Sequence, residues 1–198
     1  MKKSWIIIGG IVLLVIILFS SVKGTYNGLV TNDEKVNESW ALVQADYQRR
    51  VDLIPNLVST VKGYAKFEQE TLIKVVEQRA SATKPTINVD ATKLNANTFA
   101  QVEKAQNELS SALSRLLVTV EKYPDLKANE QFKTLMVQLE GTENRIKDSR
   151  RRFGEAVNIY NTQLRRFPTN ILAGMFGFAQ KPYFTAQAGA ENAPKVEL

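Results

Sequence analysis

The sequence predicts an all-α protein: an N-terminal transmembrane helix followed by an elongated antiparallel up-and-down four-helix bundle. Three observations lead there. Residues from Ser4 to Val22 carry no charged side chain and leave no face polar, so they read as a membrane span rather than an amphipathic helix. Beyond that run, apolar residues recur at helical or heptad spacing, and Leu, Ala, Lys, Glu and Gln, all good helix formers, dominate. Alternating Val/Thr/Tyr runs, the signature of half-buried strands, are missing.

The first element is the uncharged run itself. At 1.5 Å per residue it spans about 28 Å, close to the hydrocarbon thickness of a bilayer. Lys2 and Lys3 precede it and Lys23 follows it, which sets an anchor over residues 1–23, a bundle over 24–184 and a flexible polar tail over 185–198. A retained anchor fits better than a cleaved signal peptide. The apolar core is long, and Val22-Lys23-Gly24, the one cleavage-like site, puts a lysine between the small positions. A lipid-modified anchor is excluded, because the chain has no cysteine. Two lysines and the terminal amine on one side, against Lys23 and Lys35 on the other, favour an N-terminus in the cytoplasm and a bundle outside it.

The bundle's first helix is expected from about Thr31, with Val36, Trp40, Val43, Tyr47, Ile54, Leu57, Val61 and Tyr64 as its apolar stripe. Pro55 removes the hydrogen bond to the Val51 carbonyl, yet the stripe keeps its phase across it, so a kink is expected rather than a break. After Gly63 the phase shifts to Leu72, Val75, Val76 and Arg79. That indicates a turn over Gly63–Phe67 and a shorter helix to about Ala82, or else one uninterrupted helix from Thr31 to Ala82. Residues Lys84 to Asn97, with Pro85, read as a loop. A third helix runs from Thr98 to Tyr123, opened by a Thr98/Gln101 capping box and carrying Val102, Leu109, Leu113, Leu116 and Val120 inward. Pro124 to Ala128 make a short turn, which implies antiparallel neighbours.

The last long helix, from Asn129 to Phe167, has the strictest pattern. Phe132, Leu139, Ile146, Phe153, Tyr160 and Phe167 recur every seventh residue, the spacing of a coiled-coil seam. Leu135, Thr142, Ser149, Ala156 and Gln163 fill the alternate positions, Asn129 is the N-cap, Pro168 the stop, and Gly154 suggests a close backbone contact. Antiparallel to the first helix, this one returns the chain to the membrane-proximal end. There Ile171, Leu172, Met175, Phe176, Phe178 and Phe184 form a dense apolar segment that reads either as a lid on the bundle or as a membrane or partner surface.

Composition narrows the chemistry. All 20 acidic residues and all but two of the 26 basic ones lie beyond the apolar run, an excess of four positive charges that suits an anionic lipid surface. With no histidine and no cysteine, most zinc sites, thiol catalysis and histidine-based triads are excluded, and no phosphate-binding glycine loop is present. No catalytic residue, metal site or cofactor is expected. Charges that fall in apolar phases are better read as structure: Arg49 or Arg50 is expected to pair with Glu140 or Glu143, with Asp52 nearby, fixing the register of the first and last helices, or else to reach solvent from the seam edge. Lys147, Arg150, Arg151, Arg152, Arg165 and Arg166 make the last helix basic, but its aromatics occupy the seam, so nucleic acid is not an expected partner.

The chain resembles the LemA family of bacterial membrane-anchored proteins. The resemblance is carried by Gln48-Arg-Arg-Val-Asp-Leu-Ile-Pro-Asn-Leu-Val58, Lys62-Gly-Tyr-Ala65, Tyr123-Pro-Asp-Leu-Lys-Ala-Asn129, Leu139-Glu-Gly-Thr-Glu-Asn-Arg-Ile146, Tyr160-Asn161, Phe167-Pro-Thr-Asn170 and Gly189-Ala-Glu-Asn-Ala-Pro194. It covers nearly the whole chain and implies a single N-terminal membrane span, an all-helical bundle and no established activity. Two departures stand out: Phe67 replaces a histidine common in the family, and Phe153-Gly154 replaces Tyr-Asn. The expected role is a non-enzymatic scaffold or protein-interaction module at the bacterial cell membrane, touching the lipid bilayer and unidentified envelope proteins, with a homo-oligomer also compatible. The alternative is an accessory subunit of an envelope signalling or membrane-proteolysis system. A carboxylate-based enzyme is the least favoured class.

Overall fold

The computed structural model describes residues 2–63, 68–88 and 94–185. Its regular elements are all helices: α1 Lys2–Lys62, α2 Gln69–Asn88, α3 Ala96–Val120, α4 Pro124–Ala128, α5 Glu130–Arg165 and α6 Thr169–Met175. Helix α1 holds a stretch long and apolar enough to cross a membrane, and every residue from Trp5 to Ser21 is exposed. The expected boundary between anchor and bundle is not a break in the backbone. α1 is one helix of 61 residues, about 92 Å long, that passes through Gly24-Thr-Tyr-Asn-Gly28 without interruption. Packing supplies what those weak helix formers lack. Leu29 is fully buried, and Gly28 sits so close to the Gln163 amide that a Cβ there would lie 2.8 Å from it.

Pro55 lies inside α1, as its unbroken apolar phase requires. The orphaned Val51 carbonyl receives the Arg79 Nε of α2 at 3.0 Å, so the hydrogen bond that proline removes is replaced from a neighbouring helix. α1 ends at Lys62 and α2 begins at Gln69, which makes them separate helices; most of the expected turn, residues 64–67, lies outside the described residues. α2 also overruns its expected end. It continues through Pro85 to Asn88, where the sequence suggested a loop from Lys84. α3 starts earlier than expected: Asn95 is the N-cap, its side chain accepting from the Asn97 and Thr98 amides, and Thr98 answers as the reciprocal member of the capping box. Pro124–Ala128 closes into one helical turn. Asn129 caps α5 by accepting from the Phe132 amide, as the sequence indicates.

The helices pack as a bundle whose directions follow from their contacts. α5 runs antiparallel along α1, with Gly28 beside Gln163 near one end and Arg50 against Glu143 near the middle. α3 runs parallel to α1, Phe99 meeting Trp40 and Gln106 meeting Arg50, while α2 bonds back to α1 through Arg79. The heptad seam of α5 is buried from Phe132 to Leu164, but Phe167 is 81% exposed, because α5 stops at Arg165 and the chain turns away before the next heptad position. Gly154 meets no side chain or distant backbone within 4 Å, so no close contact explains it.

Two apolar clusters fill the interior. One, far from the apolar run, gathers Ile54, Leu57, Val61, Val75, Leu109, Leu116 and Leu126. The other gathers Leu29, Val36, Trp40, Phe99, Phe153, Val157 and Tyr160. From Tyr26 to Trp40 the chain after α6 packs against α1. There the groove between α1 and α5 is covered by residues 176–185, an extended strap that follows α6 and climbs back along the bundle.

Candidate functional site

Between the two apolar clusters lies a polar layer centred on Arg50, which is 2% exposed. Its Nη1 donates to Glu143 of α5 at 2.7 Å and to the Ser110 hydroxyl of α3 at 2.8 Å. Its Nη2 donates to the Gln106 backbone carbonyl at 3.2 Å and to the Gln106 side-chain oxygen. One guanidinium thus ties α1 to both α3 and α5, using the planar fork that lysine lacks. Glu143 remains 47% exposed, because it lines an open groove of about 530 Å³ between α3 and α5 whose walls include Leu113, Leu116, Met136 and Leu139. Arg49 and Glu140 are exposed, and Asp52 is exposed and accepts from Gln48 within its own helix at 2.7 Å. The arrangement therefore brings Arg50 to Glu143 and leaves Arg49, Asp52 and Glu140 outside the layer.

The layer continues toward the strap. Arg150 donates to Glu103 at 3.4 Å, Thr185 donates to the other Glu103 oxygen at 2.9 Å, and the Arg150 guanidinium lies over the Phe184 ring 4.0 Å from its centroid. Phe184 in turn packs into an aromatic nest of Trp40, Phe99 and Phe153. Tyr47, buried beside these charges, has its phenol pKa pushed above the usual value by burial, which outweighs the opposing pull of Arg150 and Arg50. Among the described residues no group of three or more acidic side chains is placed to hold a metal ion.

Further down, α5 clamps the strap. The Asn161 amide donates to the Lys181 carbonyl at 2.9 Å and accepts from the Lys181 amide at 3.0 Å, a reciprocal pair in which a side chain imitates a strand edge. Tyr160 donates to the Ala179 carbonyl at 3.1 Å, and the Lys181 ammonium reaches Asp33 of α1 at 2.8 Å. The six apolar residues singled out beyond α5 divide accordingly. Phe178 and Phe184 turn inward and pack on the core, Leu172 is half-buried, and Ile171, Met175 and Phe176 are exposed. The sequence pattern passed over Gln106, Ser110, Asn161 and Lys181. Gln106 stood at a seam position between Val102 and Leu109, so its phase was readable although its polarity hid it.

Comparison with known proteins adds the family. The model of the LemA family matches residues 39–198, which spans the described bundle from α1's Ser39 onward. The chain belongs to the LemA family. Among its relatives, magnetosome protein MamQ 2 of Paramagnetospirillum magneticum is 26% identical over 202 residues, covering 91% of this chain and 72% of that protein. Protein LemA of Metamycoplasma hominis is 27% identical over 150 residues, 76% of this chain and 64% of its own length. MamQ of Magnetospirillum gryphiswaldense is 25% identical over 194 residues, covering 87% and 69%. None of these names denotes a reaction. In this LemA-family chain the middle of the basic strip of α5 is paired locally: Arg151 bridges Asp148 and Glu155, each at 2.6 Å, and Arg152 reaches Asp148 at 2.8 Å.

Proposed function

We propose that this LemA-family chain is a non-enzymatic, membrane-anchored helical bundle of the bacterial envelope that acts as a scaffold or protein-interaction module. The observation that carries the reading is the continuity of α1: a fully exposed, uncharged stretch runs without a break into the buried face of the bundle. Exposure of every residue from Trp5 to Ser21 is costly in water and favourable in lipid. The buried polar groups support a structural role, because Arg50, Gln106 and Asn161 spend their hydrogen bonds joining helices and strap rather than facing a cavity. The relatives support it as well, their names describing a magnetosome component or the family itself. The lysines flanking the anchor favour a cytoplasmic N-terminus at the inner membrane, with the bundle on the other side.

Chemical crosslinking of the full chain in native membranes, followed by detergent purification, tests the reading. A scaffold retains envelope proteins in fixed stoichiometry, and a chain recovered alone contradicts it. A stoichiometric kinase or protease would move the reading to an accessory subunit. Orientation is read separately with a cysteine at Val118, since the natural chain has none. A membrane-impermeant maleimide should label it in intact spheroplasts, and labelling only after lysis reverses the assignment.

A further inference from the structure

We propose that α6 and the turn before it form a second, interfacial membrane contact: a foot on which the bundle stands on an anionic bilayer surface. The inference rests on the anchoring reading above and adds where the rest of the molecule touches the membrane. Three independent observations converge on it.

The first is level. Every residue from Trp5 to Ser21 is exposed, and Val22, the last of the uncharged run, is the first to become half-buried. Tyr26, one turn or about 6 Å further along α1, stacks edge-on against Phe176 and Phe178, with ring centroids 4.9 and 5.8 Å away. The end of α6 is therefore fixed at the height where the lipid-compatible stretch stops. Trp5 and Tyr26 bracket roughly 32 Å of helix, so the two aromatics sit where the two bilayer interfaces would be.

The second is an apolar face with no protein against it. Ala173 is 1% exposed and Leu172 half-buried, which tells which side of α6 meets the bundle. On the other side Ile171 and Met175, four residues apart on α6, are 54% and 74% exposed, and Phe167 in the turn before α6 is 81% exposed. A lid needs only the buried side. Large side chains this exposed beside a membrane anchor match the interfacial helix, which buries its apolar face about 5–10 Å into the headgroup and acyl boundary.

The third is charge. The chain holds no acidic residue before Asp33 and none between Thr162 and Thr185. Lys23, Arg165 and Arg166 are exposed in this zone, and neither arginine has an ion-pair partner among the described residues. Asp33 is engaged by Lys181. The membrane-facing end therefore carries a collar of cations without carboxylates, while Arg151 and Arg152 higher on α5 are paired with Asp148 and Glu155. Cations held at an anionic leaflet are attracted to it, so the collar and the apolar face act in the same direction.

The full chain in phosphatidylcholine/phosphatidylglycerol vesicles tests this directly. Single cysteines carrying an environment-sensitive fluorophore are placed at Met175 on the foot, at Leu14 in the anchor and at Val118 on the far part of α3; all three side chains are exposed, so labelling leaves the core intact. Lipids carrying a nitroxide at the headgroup or deep in the chain act as depth-resolved quenchers. The Met175 label should be quenched several-fold more than the Val118 label by the shallow quencher, and the Leu14 label by the deep one. Quenching at Leu14 with Met175 no different from Val118 overturns the foot and leaves the anchor standing; no quenching at Leu14 overturns both. If Met175 escapes both the lipid quenchers and aqueous iodide, protein covers it and the foot is again overturned. Omitting phosphatidylglycerol, or combining Arg165→Gln with Arg166→Gln, should reduce the Met175 quenching, and unchanged quenching removes the charged half of the proposal.

Discussion

Pro55 leaves the Val51 carbonyl without its intrahelical donor, and Arg79 of α2 fills the vacancy at 3.0 Å. An exposed proline thereby becomes a reason for two helices to dock in one register. Replacing Arg79 by Ala should cost about 1–3 kcal/mol, the penalty for a carbonyl left unpaired beside the buried Val51. In a Pro55→Ala background the amide returns and the same change should cost less than about 0.5 kcal/mol. Thermal unfolding of the four variants in detergent checks the cycle, and equal costs in both backgrounds would exclude the compensation. The Arg50 layer makes a second residue-scale prediction. Arg50→Ala removes a large buried side chain together with its bonds to Ser110, Gln106 and Glu143, so about 3–5 kcal/mol is expected. Glu143→Gln keeps the shape and an acceptor oxygen for Arg50, and Glu143 itself is half exposed, so about 1–2 kcal/mol is expected. Glu143→Gln matching Arg50→Ala in the same unfolding experiment would mean the carboxylate, not the arginine, organises the layer. The spacing of Val43, Arg50 and Leu57 placed Arg50 in an apolar phase. Which carboxylate meets it depends on the register between α1 and α5, which no local pattern encodes.

At the scale of elements, helix periodicity was the legible part; among the ends, the Asn129 cap of α5 was readable, while the end of α2 and the start of α3 were not. The buried faces of α1, α3 and α5 follow directly from the spacing of their apolar residues. α1 was unreadable between Lys23 and Val30 because Gly24 and Gly28 are poor helix formers, and only the packing against Gln163, Phe176 and Phe178 overrides that preference. The strap was unreadable for a related reason: an extended segment held by the Asn161 amide and the Tyr160 hydroxyl has no periodicity of its own. Its hold on the bundle should depend on pH. Burial, with the Asp33 carboxylate adding to it, pushes the Tyr160 phenol up to about 12. An unfolded tyrosine ionises near 10. Between about pH 10 and 12 the unfolded chain therefore releases a proton that the folded chain retains, so the contribution of Tyr160 is full below pH 10 and is lost as pH rises through 12. Tyr160→Phe should be less stable than the parent by about 1 kcal/mol at neutral pH, for want of the bond to Ala179, and should show a shallower alkaline decline. Tyr47, whose phenol is also raised by burial, keeps that decline from vanishing. Stability curves for the two proteins that stay parallel from pH 9 to 12 would exclude Tyr160 as a source.

At the scale of the whole molecule, one helix runs from the lipid-compatible stretch into the distal cluster, so the bundle has no hinge at the membrane. The span of α1 from Lys23 to Lys62 is about 60 Å at helical rise. The contacts of Tyr26 with Phe176 and Phe178, and of Lys181 with Asp33, brace that rod against α6 and the strap just above the apolar stretch. A tether would let the bundle sweep a hemisphere, whereas a braced rod holds its far end at one height. For the full chain in supported bilayers, energy transfer from a fluorophore at a Lys62→Cys site to a lipid-plane acceptor should report a narrow distribution centred near 55–60 Å, allowing for a tilt of about 20°. Inserting Gly-Ser-Gly-Gly between Lys23 and Gly24 should broaden the distribution and lower its mean, because the insert interrupts the helix while leaving the bundle's own contacts in place. A distribution already broad in the parent chain would mean the contacts at Tyr26 do not brace the rod, and the bundle would then be a tethered head rather than a post. For a scaffold the distinction decides which partners can be reached: a post presents its distal surface, with Val118 and Val137 exposed, at a fixed distance from the membrane.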